Sequence, residues 1–177
     1  MKLLEGVARV PDLDAFLAVL DDVAAGHGAA VQAFDARYVV DREHLERAVE
    51  LANRAVERDD AIARDRSVEI LLYAAGRRQI RRALAMGVSA GECPVVVVVD
   101  AGPARSGDDG DSGDKSEARA VDDLRDRLDL TPEPTLGDYD PERVRAFFDV
   151  GDAELGAVAG TLEDVVLERV ALLDVEK

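Results

Sequence analysis

The sequence predicts a mixed α/β fold, in which a sheet of about four strands is packed by helices and the C-terminal third of the chain is helical. Short apolar runs alternate with segments in which apolar residues recur at helical spacing, as in folds that place helices against a sheet. The 177 residues are enough for a sizeable core, and we expect a single domain over residues 1–177. The pattern leaves open whether the strands are parallel.

The first part of the chain predicts strands that alternate with well-marked helices. An aspartate before residues of helical periodicity is a typical N-cap, because its carboxylate accepts hydrogen bonds from the backbone N–H groups of the first turn. Asp12 or Asp14 can fill this role for the first helix and Asp41 for the second. The predicted elements are a strand over 2–10, a helix that ends near Gly26, a strand over 29–34 and a helix from Asp41 to about Arg58.

Two further apolar runs predict buried strands. Residues 68–75 predict a third strand, and the valine run at 94–99 predicts a central strand that is buried on both faces. Between these runs, Gly76 predicts a turn and residues 77–86 a short helix that ends at Gly87. The residues of that helix expected to face the core are Ile80, Ala83 and Leu84.

An acidic segment precedes the helical C-terminal third. Residues 101–116 are dense in Gly, Ser and Asp, which is typical of a mobile surface loop. Its aspartates lack the spacing of a calcium-binding loop, so we expect solvation and no metal site there. The helical segments predicted after it are 117–128, a helix from Asp140 and Pro141 to Phe148, and a last stretch from Gly151 that breaks near Gly160, where Thr161 and Asp164 form a capping box.

The net charge of the chain indicates the salt concentration of its solvent more than the kind of partner it binds. The formal net charge is -16, and acidic residues are spread through most segments. This pattern is typical of proteins kept soluble at very high salt, so we expect a halophilic source. Against that background, a local group of arginines is informative.

Residues that usually carry catalysis are sparse. His27 and His44 lack the neighbours of a metal site, and we expect ordinary surface positions for both. Cys93 has no nearby histidine and is expected to be half-buried at the start of a strand. Because nucleotide-binding and hydrolase motifs are also missing, no residue constellation for catalysis is found and we expect no cofactor. No apolar run is long enough to span a membrane and no signal peptide is recognised, so we expect a cytoplasmic location.

The most informative stretch follows the third predicted strand. No acidic residue occurs between Ile70 and Gly91, and the predicted helix carries arginines at positions 77, 78, 81 and 82. Arginines in the first turn of a helix oppose its dipole, so an external anion would relieve a local conflict. Two interpretations stay open: an anion-binding turn, to which Arg64 and Arg66 add, or arginines paired with carboxylates of neighbouring elements.

Three stretches together resemble a known family. These are the segment EILLYAAGRRQIRRA, the valine strand after it and the ending LEDVVLERVALLDV. Together they resemble the small archaeal Cgi-type subunit of the KEOPS complex, the family of the TP53RK-binding protein. The resemblance implies a non-catalytic protein that docks on the kinase-like ATPase subunit, which in turn contacts the threonylcarbamoyl-transferring subunit. It also implies that the protein grips the single-stranded 3′ CCA tail of tRNA during threonylcarbamoyladenosine synthesis. The acidic segment 101–116 departs from the family pattern as an insertion.

The resemblance assigns roles to two sets of residues. The arginine turn would hold the tRNA tail, because guanidinium groups can bind phosphates and stack on bases. Its residues are Gly76, Arg77, Arg78, Gln79, Arg81 and Arg82. On the last helix, Val166, Val170 and Leu173 form an apolar face that either docks on the kinase-like subunit or belongs to the core.

Two other interpretations compete with this one. A small-molecule phosphate-binding enzyme or sensor domain could use the Arg77–Arg82 turn, and it would have a closed pocket with paired ionisable groups behind Gly76. A purely structural subunit would instead hold each guanidinium with its own carboxylate. Tyr73 is the nearest aromatic residue in the sequence, so packing on arginine or on aliphatic side chains would carry more of any contact with bases.

Overall fold

A computed structural model describes residues 1–103, 110–157 and 160–175 of the chain. These residues form a four-stranded antiparallel sheet and eight α-helices, which confirms the predicted mixed α/β class. In chain order the elements are β1 (Lys2–Val10), α1 (Leu13–His27), β2 (Ala30–Asp35), α2 (Arg42–Glu57), α3 (Arg66–Ala74), α4 (Ile80–Ala83), β3 (Gly91–Asp100), α5 (Gly110–Arg127), β4 (Leu130–Pro132), α6 (Pro141–Phe148), α7 (Asp152–Ala157) and α8 (Leu162–Val175). Short 3-10 turns cover Ala36–Tyr38 and Leu84–Met86.

The chain divides into two compact units, each built from two segments of the sequence. Unit 1 comprises Met1–Asp35 and Val88–Thr135 and contains the sheet with α1 and α5. Unit 2 comprises Ala36–Gly87 and Leu136–Lys177, and its described part is helical. The single domain expected from the length of the chain stays a prediction.

The sheet of unit 1 has the strand order β2-β3-β1-β4, and every pair is antiparallel. Strand β3 lies between β2 and β1, and Val95 to Val99 are all fully buried, which confirms the predicted central strand. Successive side chains of a strand point to opposite faces. Val95, Val97 and Val99 therefore share one face, and this face forms a core cluster with apolar residues of α1 and α5.

Strand β4 is an element that the sequence does not predict. It pairs with Gly6, Val7 and Ala8 of β1 over only three residues. Gly6 permits this close approach, because a Cβ atom there would lie 2.5 Å from the carbonyl oxygen of Thr131. A three-residue strand that contains a proline is too short to show a period of two, so its segment looks like a connection.

Helix α5 begins earlier than predicted, because residues 110–116 of the predicted loop are helical. Contacts of its second turn explain the difference. The Ser116 hydroxyl donates to the carbonyl oxygen of His27 at 2.6 Å, and the Glu117 carboxylate accepts from the backbone N–H of Ala101 at 2.9 Å. Tertiary contacts thus extend a helix through residues of weak intrinsic propensity. The prediction of mobility for residues 104–109 lies outside the described residues.

Helix α3 in unit 2 corrects the largest error of the sequence prediction. The sequence predicts a strand over 68–75, and the structure has a helix over Arg66–Ala74 instead. Asp65 caps it, since its carboxylate accepts from the backbone N–H of Ser67 at 2.8 Å. Residues 70–75 are all buried. A helix buried on every side has no polar face, so its pattern is indistinguishable from that of a buried strand.

Four other helix starts follow the sequence signals. The carboxylates of Asp12, Asp41 and Asp140 accept from the N–H groups of the first turns of α1, α2 and α6 at 2.8–3.0 Å. At the start of α8, the N–H of Thr161 donates to Asp164 at 2.7 Å and the N–H of Asp164 donates to the Thr161 hydroxyl at 3.4 Å. This reciprocal pair is the predicted capping box.

Candidate functional site

The arginine segment of unit 2 is only partly helical. The sequence predicts a helix over 77–86, but α4 covers only Ile80–Ala83 and continues as a 3-10 turn. Arg77 and Arg78 therefore precede the helix, and the cap residue Gln79 makes no side-chain capping hydrogen bond. A helix of one turn sums too few peptide dipoles to attract an anion strongly. The helix-dipole argument for this segment is wrong, and any ligand contact depends on its side chains.

Gly76 forms the predicted turn and determines the backbone direction at Arg77. Its φ angle is +56°, in the left-handed region that glycine adopts without strain. A Cβ atom at this position would lie 3.1 Å from the carbonyl oxygen of Arg169 on α8. The backbone N–H of Arg77 then returns to the Leu72 carbonyl of α3 at 3.1 Å. Gly76 thus has a structural reason for its place, apart from any ligand.

Arg77 is held within the protein. Its guanidinium donates to the Asp149 carboxylate at 2.7 Å and to the backbone carbonyl of Phe147. The Cζ atom of Arg77 also lies 5.6 Å from the centroid of the Phe147 ring, within the range of a cation–π contact. The Arg77 guanidinium lowers the pKa of the Asp149 carboxyl below its usual value through this hydrogen bond and the opposite charge. For Arg77, the interpretation as an internal ion pair is supported.

The rest of the segment is open to solvent. We call it the exposed arginine surface, and it consists of Arg78, Gln79, Ile80, Arg81, Arg82 and Leu84. Within the part of the chain that the structure describes, the guanidinium groups of Arg81 and Arg82 form no hydrogen bond and no ion pair, although the charge of Arg82 helps to lower the pKa of the Asp149 carboxyl. Ile80 is 45% exposed and Leu84 57% exposed, so the expectation that both face the core is wrong. A one-turn helix packs only one side inwards, and Ala83 occupies that side here.

Sequence reasoning missed the aromatic residues that adjoin Arg77. Tyr73, the nearest aromatic in sequence, is buried, and its hydroxyl donates to Asp174 of α8 at 2.9 Å. Phe147 and Tyr38 are partly exposed, and their rings meet edge to face with centroids 5.3 Å apart. No local signal could have found this pair, because Phe147 lies 70 positions beyond Arg77.

His44 is not a surface residue, which corrects the expectation from sequence. Its side chain is fully buried, its Nε2 lies 2.8 Å from the carbonyl oxygen of Ala74, and its ring lies 6.0 Å from that of Phe148. Burial lowers the pKa of His44, because a charged imidazolium would lose its hydration. The ring thus joins the start of α2 to the end of α3, directly before Gly76. His27 remains partly exposed beside Asp123 of α5 at 3.2 Å.

On α8, the residues expected at a partner interface are buried within unit 2. Val166, Val170 and Leu173 are each at most 3% exposed, which supports the core interpretation for all three. The large apolar residues that α8 does expose are Leu172 at 36% and Val175 at 79%. A docking surface on this helix would therefore use Leu172 and Val175 and not the predicted apolar face.

The remaining features to consider are metal ligands, the cysteine and membrane-spanning helices. Among residues 1–103, 110–157 and 160–175, no three His, Cys, Asp or Glu side chains lie where they could hold one metal ion. Cys93 is buried in β3, deeper than the half-buried position expected. None of the helices in this part of the chain is both long and apolar enough to cross a membrane.

Comparison with known proteins identifies the family. A family model described as "Kinase binding protein CGI-121" matches residues 18–174, which is most of the chain. The protein therefore belongs to the CGI-121 kinase-binding family. No curated protein matches the chain.

Proposed function

We propose that this member of the CGI-121 family is a non-catalytic adaptor of the KEOPS complex. In this function it docks on the kinase-like ATPase subunit and holds the 3′ CCA tail of tRNA while the transferring subunit makes threonylcarbamoyladenosine. The family description supports a kinase as partner. The tRNA contact is supported by the exposed arginine surface, where the guanidinium groups of Arg81 and Arg82 have no hydrogen bond or ion pair among the described residues.

The arginines of the segment have different parts in this proposal. Arg81 and Arg82, with Arg78 and Gln79 before them, contact phosphates, since exposed guanidinium groups bind phosphate oxygens with two parallel N–H donors. Arg77 is already held by Asp149, so it orients the segment and presents the plane of its guanidinium. Ile80 and Leu84 offer apolar area to bases that are splayed out of a single strand.

The same exposure favours an open surface over a closed pocket. A small-molecule phosphate site would enclose its ligand and would bury most of the ligand surface. Ile80 and Leu84 are each about half exposed, as expected for a surface along which an extended strand can lie. This observation supports the adaptor over the phosphate-binding enzyme or sensor.

The test is tRNA binding by a double charge reversal, Arg81→Glu with Arg82→Glu. We expect affinity for tRNA with an intact CCA end to fall at least about tenfold at moderate salt, because two phosphate contacts are lost. The slope of log K against log salt should become less steep by about 0.7 for each contact removed, the value for single strands. tRNA without its CCA end should bind the native protein as weakly as intact tRNA binds the variant.

The matched control is Arg42→Glu with Arg47→Glu, which changes the net charge equally on exposed arginines of α2. These two arginines already pair with Glu46 and Glu50, so the control should keep the native affinity. Equal losses in both variants would mean that only total charge matters. Unchanged affinity in the Arg81 and Arg82 variant would remove the proposed tRNA contact.

We further propose that the kinase-like subunit docks on the exposed side of α8. Leu172→Glu should reduce co-purification with that subunit severalfold, because an apolar contact is replaced by a charge that must be desolvated. Leu17→Glu is the control, since Leu17 is 44% exposed on α1 of unit 1. Full co-purification by the Leu172 variant would exclude this face. Substitution of Val166, Val170 or Leu173 is not a test of docking, because these residues are buried and their loss would destabilise the packing of α8.

A further inference from the structure

Four side chains of unit 2 form a continuous row, in which two aromatic rings contact each other and each ring also contacts a guanidinium. The Cζ atom of Arg143 lies 5.3 Å from the ring centroid of Tyr38, the rings of Tyr38 and Phe147 are 5.3 Å apart, and Arg77 lies 5.6 Å from the ring of Phe147. We call Arg143, Tyr38, Phe147 and Arg77 the aromatic row. Three elements contribute to it: the 3-10 turn before α2, the helix α6 and the link before α4.

The row is placed at a surface, although most aromatic residues of the chain are not. The chain has three tyrosines, four phenylalanines and no tryptophan. Of these seven, Phe16, Phe34, Tyr73 and Phe148 are buried in the core. Tyr38 and Phe147 are partly exposed and in contact with each other, and both are covered in part by a guanidinium. Phe147 also packs edge to face on the buried Phe148, with ring centroids 5.0 Å apart, so the core holds the row in place where it reaches the surface.

We propose that the aromatic row is a stacking surface for a nucleobase of single-stranded RNA, next to the phosphate contacts of the exposed arginine surface. This inference rests on the proposed tRNA-binding function and adds the second component of such a site. Phosphate contacts give affinity without regard to the base, whereas aromatic rings and guanidinium planes offer flat faces on which any base can stack.

The fixed position of Arg77 fits this role better than it fits a phosphate clamp. Asp149 and the Phe147 carbonyl hold its guanidinium against the ring through one terminal nitrogen, so the donors of that nitrogen are already directed into the protein. The Arg77 side chain is 22% exposed, and stacking on a guanidinium plane needs no donor. Arg77 also adjoins Arg78 in the chain, so a strand on the exposed arginine surface could continue to the row without a break.

A single substitution gives this proposal a direct spectroscopic test. Because the native chain has no tryptophan, Phe147→Trp places the only tryptophan of the protein in the row. The full-length variant is titrated with a short single-stranded RNA that ends in CCA, and in parallel with the same RNA carrying abasic sugars in place of its last three nucleotides. We expect quenching of the tryptophan emission by the first RNA and none by the second, since both have the same phosphates but only one has bases to stack.

Affinity measurements complete the test with a conservative pair. Phe147→Leu should weaken binding of the CCA-ended RNA by about tenfold, within the range for loss of one base–aromatic contact, and leave the salt slope unchanged. Phe147→Tyr keeps the ring and should keep the affinity. If Phe147→Leu does not fold, the emission of the tryptophan variant still answers the question.

The outcomes separate this inference from the function on which it rests. Native binding of the RNA by the Phe147→Leu variant, or unchanged tryptophan emission while RNA binds, overturns the stacking surface and leaves the arginine contacts intact. Failure of the native protein to bind any of the RNAs overturns the proposed tRNA function and the stacking surface together. Equal quenching by the RNA with bases and the RNA without them would show that phosphate contacts alone move the ring, and it also overturns the proposal.

Discussion

Arg77 and the pair Arg81 and Arg82 are the same residue type within six positions of one segment, but the fold treats them differently. Arg77 donates to Asp149 at 2.7 Å and lies against the Phe147 ring, whereas the guanidinium groups of Arg81 and Arg82 are exposed and have no hydrogen bond or ion pair in the described chain. The first cation stabilises the protein, and the other two are available to a ligand. The comparison teaches that a cluster of like charges in a sequence can divide into a part held by the protein and a part left open to solvent.

The substitution Arg77→Ala gives the largest effect on stability that this comparison predicts. It removes two charge-assisted hydrogen bonds and a ring contact, and Asp149 is itself well exposed, so we expect a loss of about 1–2 kcal/mol in the free energy of unfolding. Arg81→Ala should change that free energy by less than about 0.5 kcal/mol, as is usual for an exposed side chain without partners. Denaturant unfolding of both variants at one salt concentration measures the difference.

A double-mutant cycle with Asp149→Ala shows how much of the Arg77 effect belongs to this ion pair. The pair should lose its contribution as the pH falls through the lowered pKa of Asp149, because the carboxyl then becomes neutral. Equal stability of the Arg77 and Arg81 variants would break the comparison, since it would mean that Arg77 is no more structural than its neighbours.

A pH-dependent effect on the free energy of unfolding is expected from the buried His44, which packs next to the start of the arginine segment. His44 hydrogen-bonds the Ala74 carbonyl just before Gly76, and burial lowers its pKa below the unfolded value of about 6.5. Below pH 6.5 the unfolded chain takes up a proton that the folded protein excludes. Stability is therefore retained above that pH and lost as the pH falls towards the lowered pKa, by at most about 1.4 kcal/mol per pH unit for one proton.

The variant His44→Gln does not titrate, so the part of the pH dependence that arises from His44 should disappear in it. His27→Gln is the control, because His27 is the other histidine of the chain and lies partly exposed beside Asp123 in unit 1. Asp41 is the charged group that faces His44 from the start of α2, and it is unchanged in both variants. If the two variants had identical pH profiles of unfolding between about pH 7.5 and pH 5, His44 would have no special role.

Two apolar runs of similar length show what limits a prediction of fold from sequence. The valine run of β3 and the residues 70–75 of α3 are both fully buried, and neither has a polar face. Composition distinguishes them where the period does not. Five successive valines favour a strand because their branched Cβ atoms are stiff, whereas Leu71, Leu72, Ala74 and Ala75 favour a helix. Asp65 adds an N-cap that the prediction of a strand left unused.

The candidate site was predictable to the same limited degree. The arginines, Gly76 and the family resemblance can be read from the sequence, and the match to the CGI-121 kinase-binding family confirms the resemblance. The predicted tRNA contacts of Gly76, Arg77, Arg78, Gln79, Arg81 and Arg82 stay proposals, as does docking through α8. Tyr38 and Phe147 could not be found, because nothing near Arg77 in the sequence marks them as its neighbours.

The sequence by itself determined the features that depend on neighbours within about four residues. These are the caps of Asp12, Asp41 and Asp140, the capping box of Thr161 and Asp164, and the central valine strand. The tertiary structure alone decided which arginine is held and which are open. The partner of Arg77 lies 72 positions away, and its position depends on how α3 and α6 each pack against α8. Local patterns record local hydrogen bonds, whereas the environment of an arginine is set by residues that only folding brings to it.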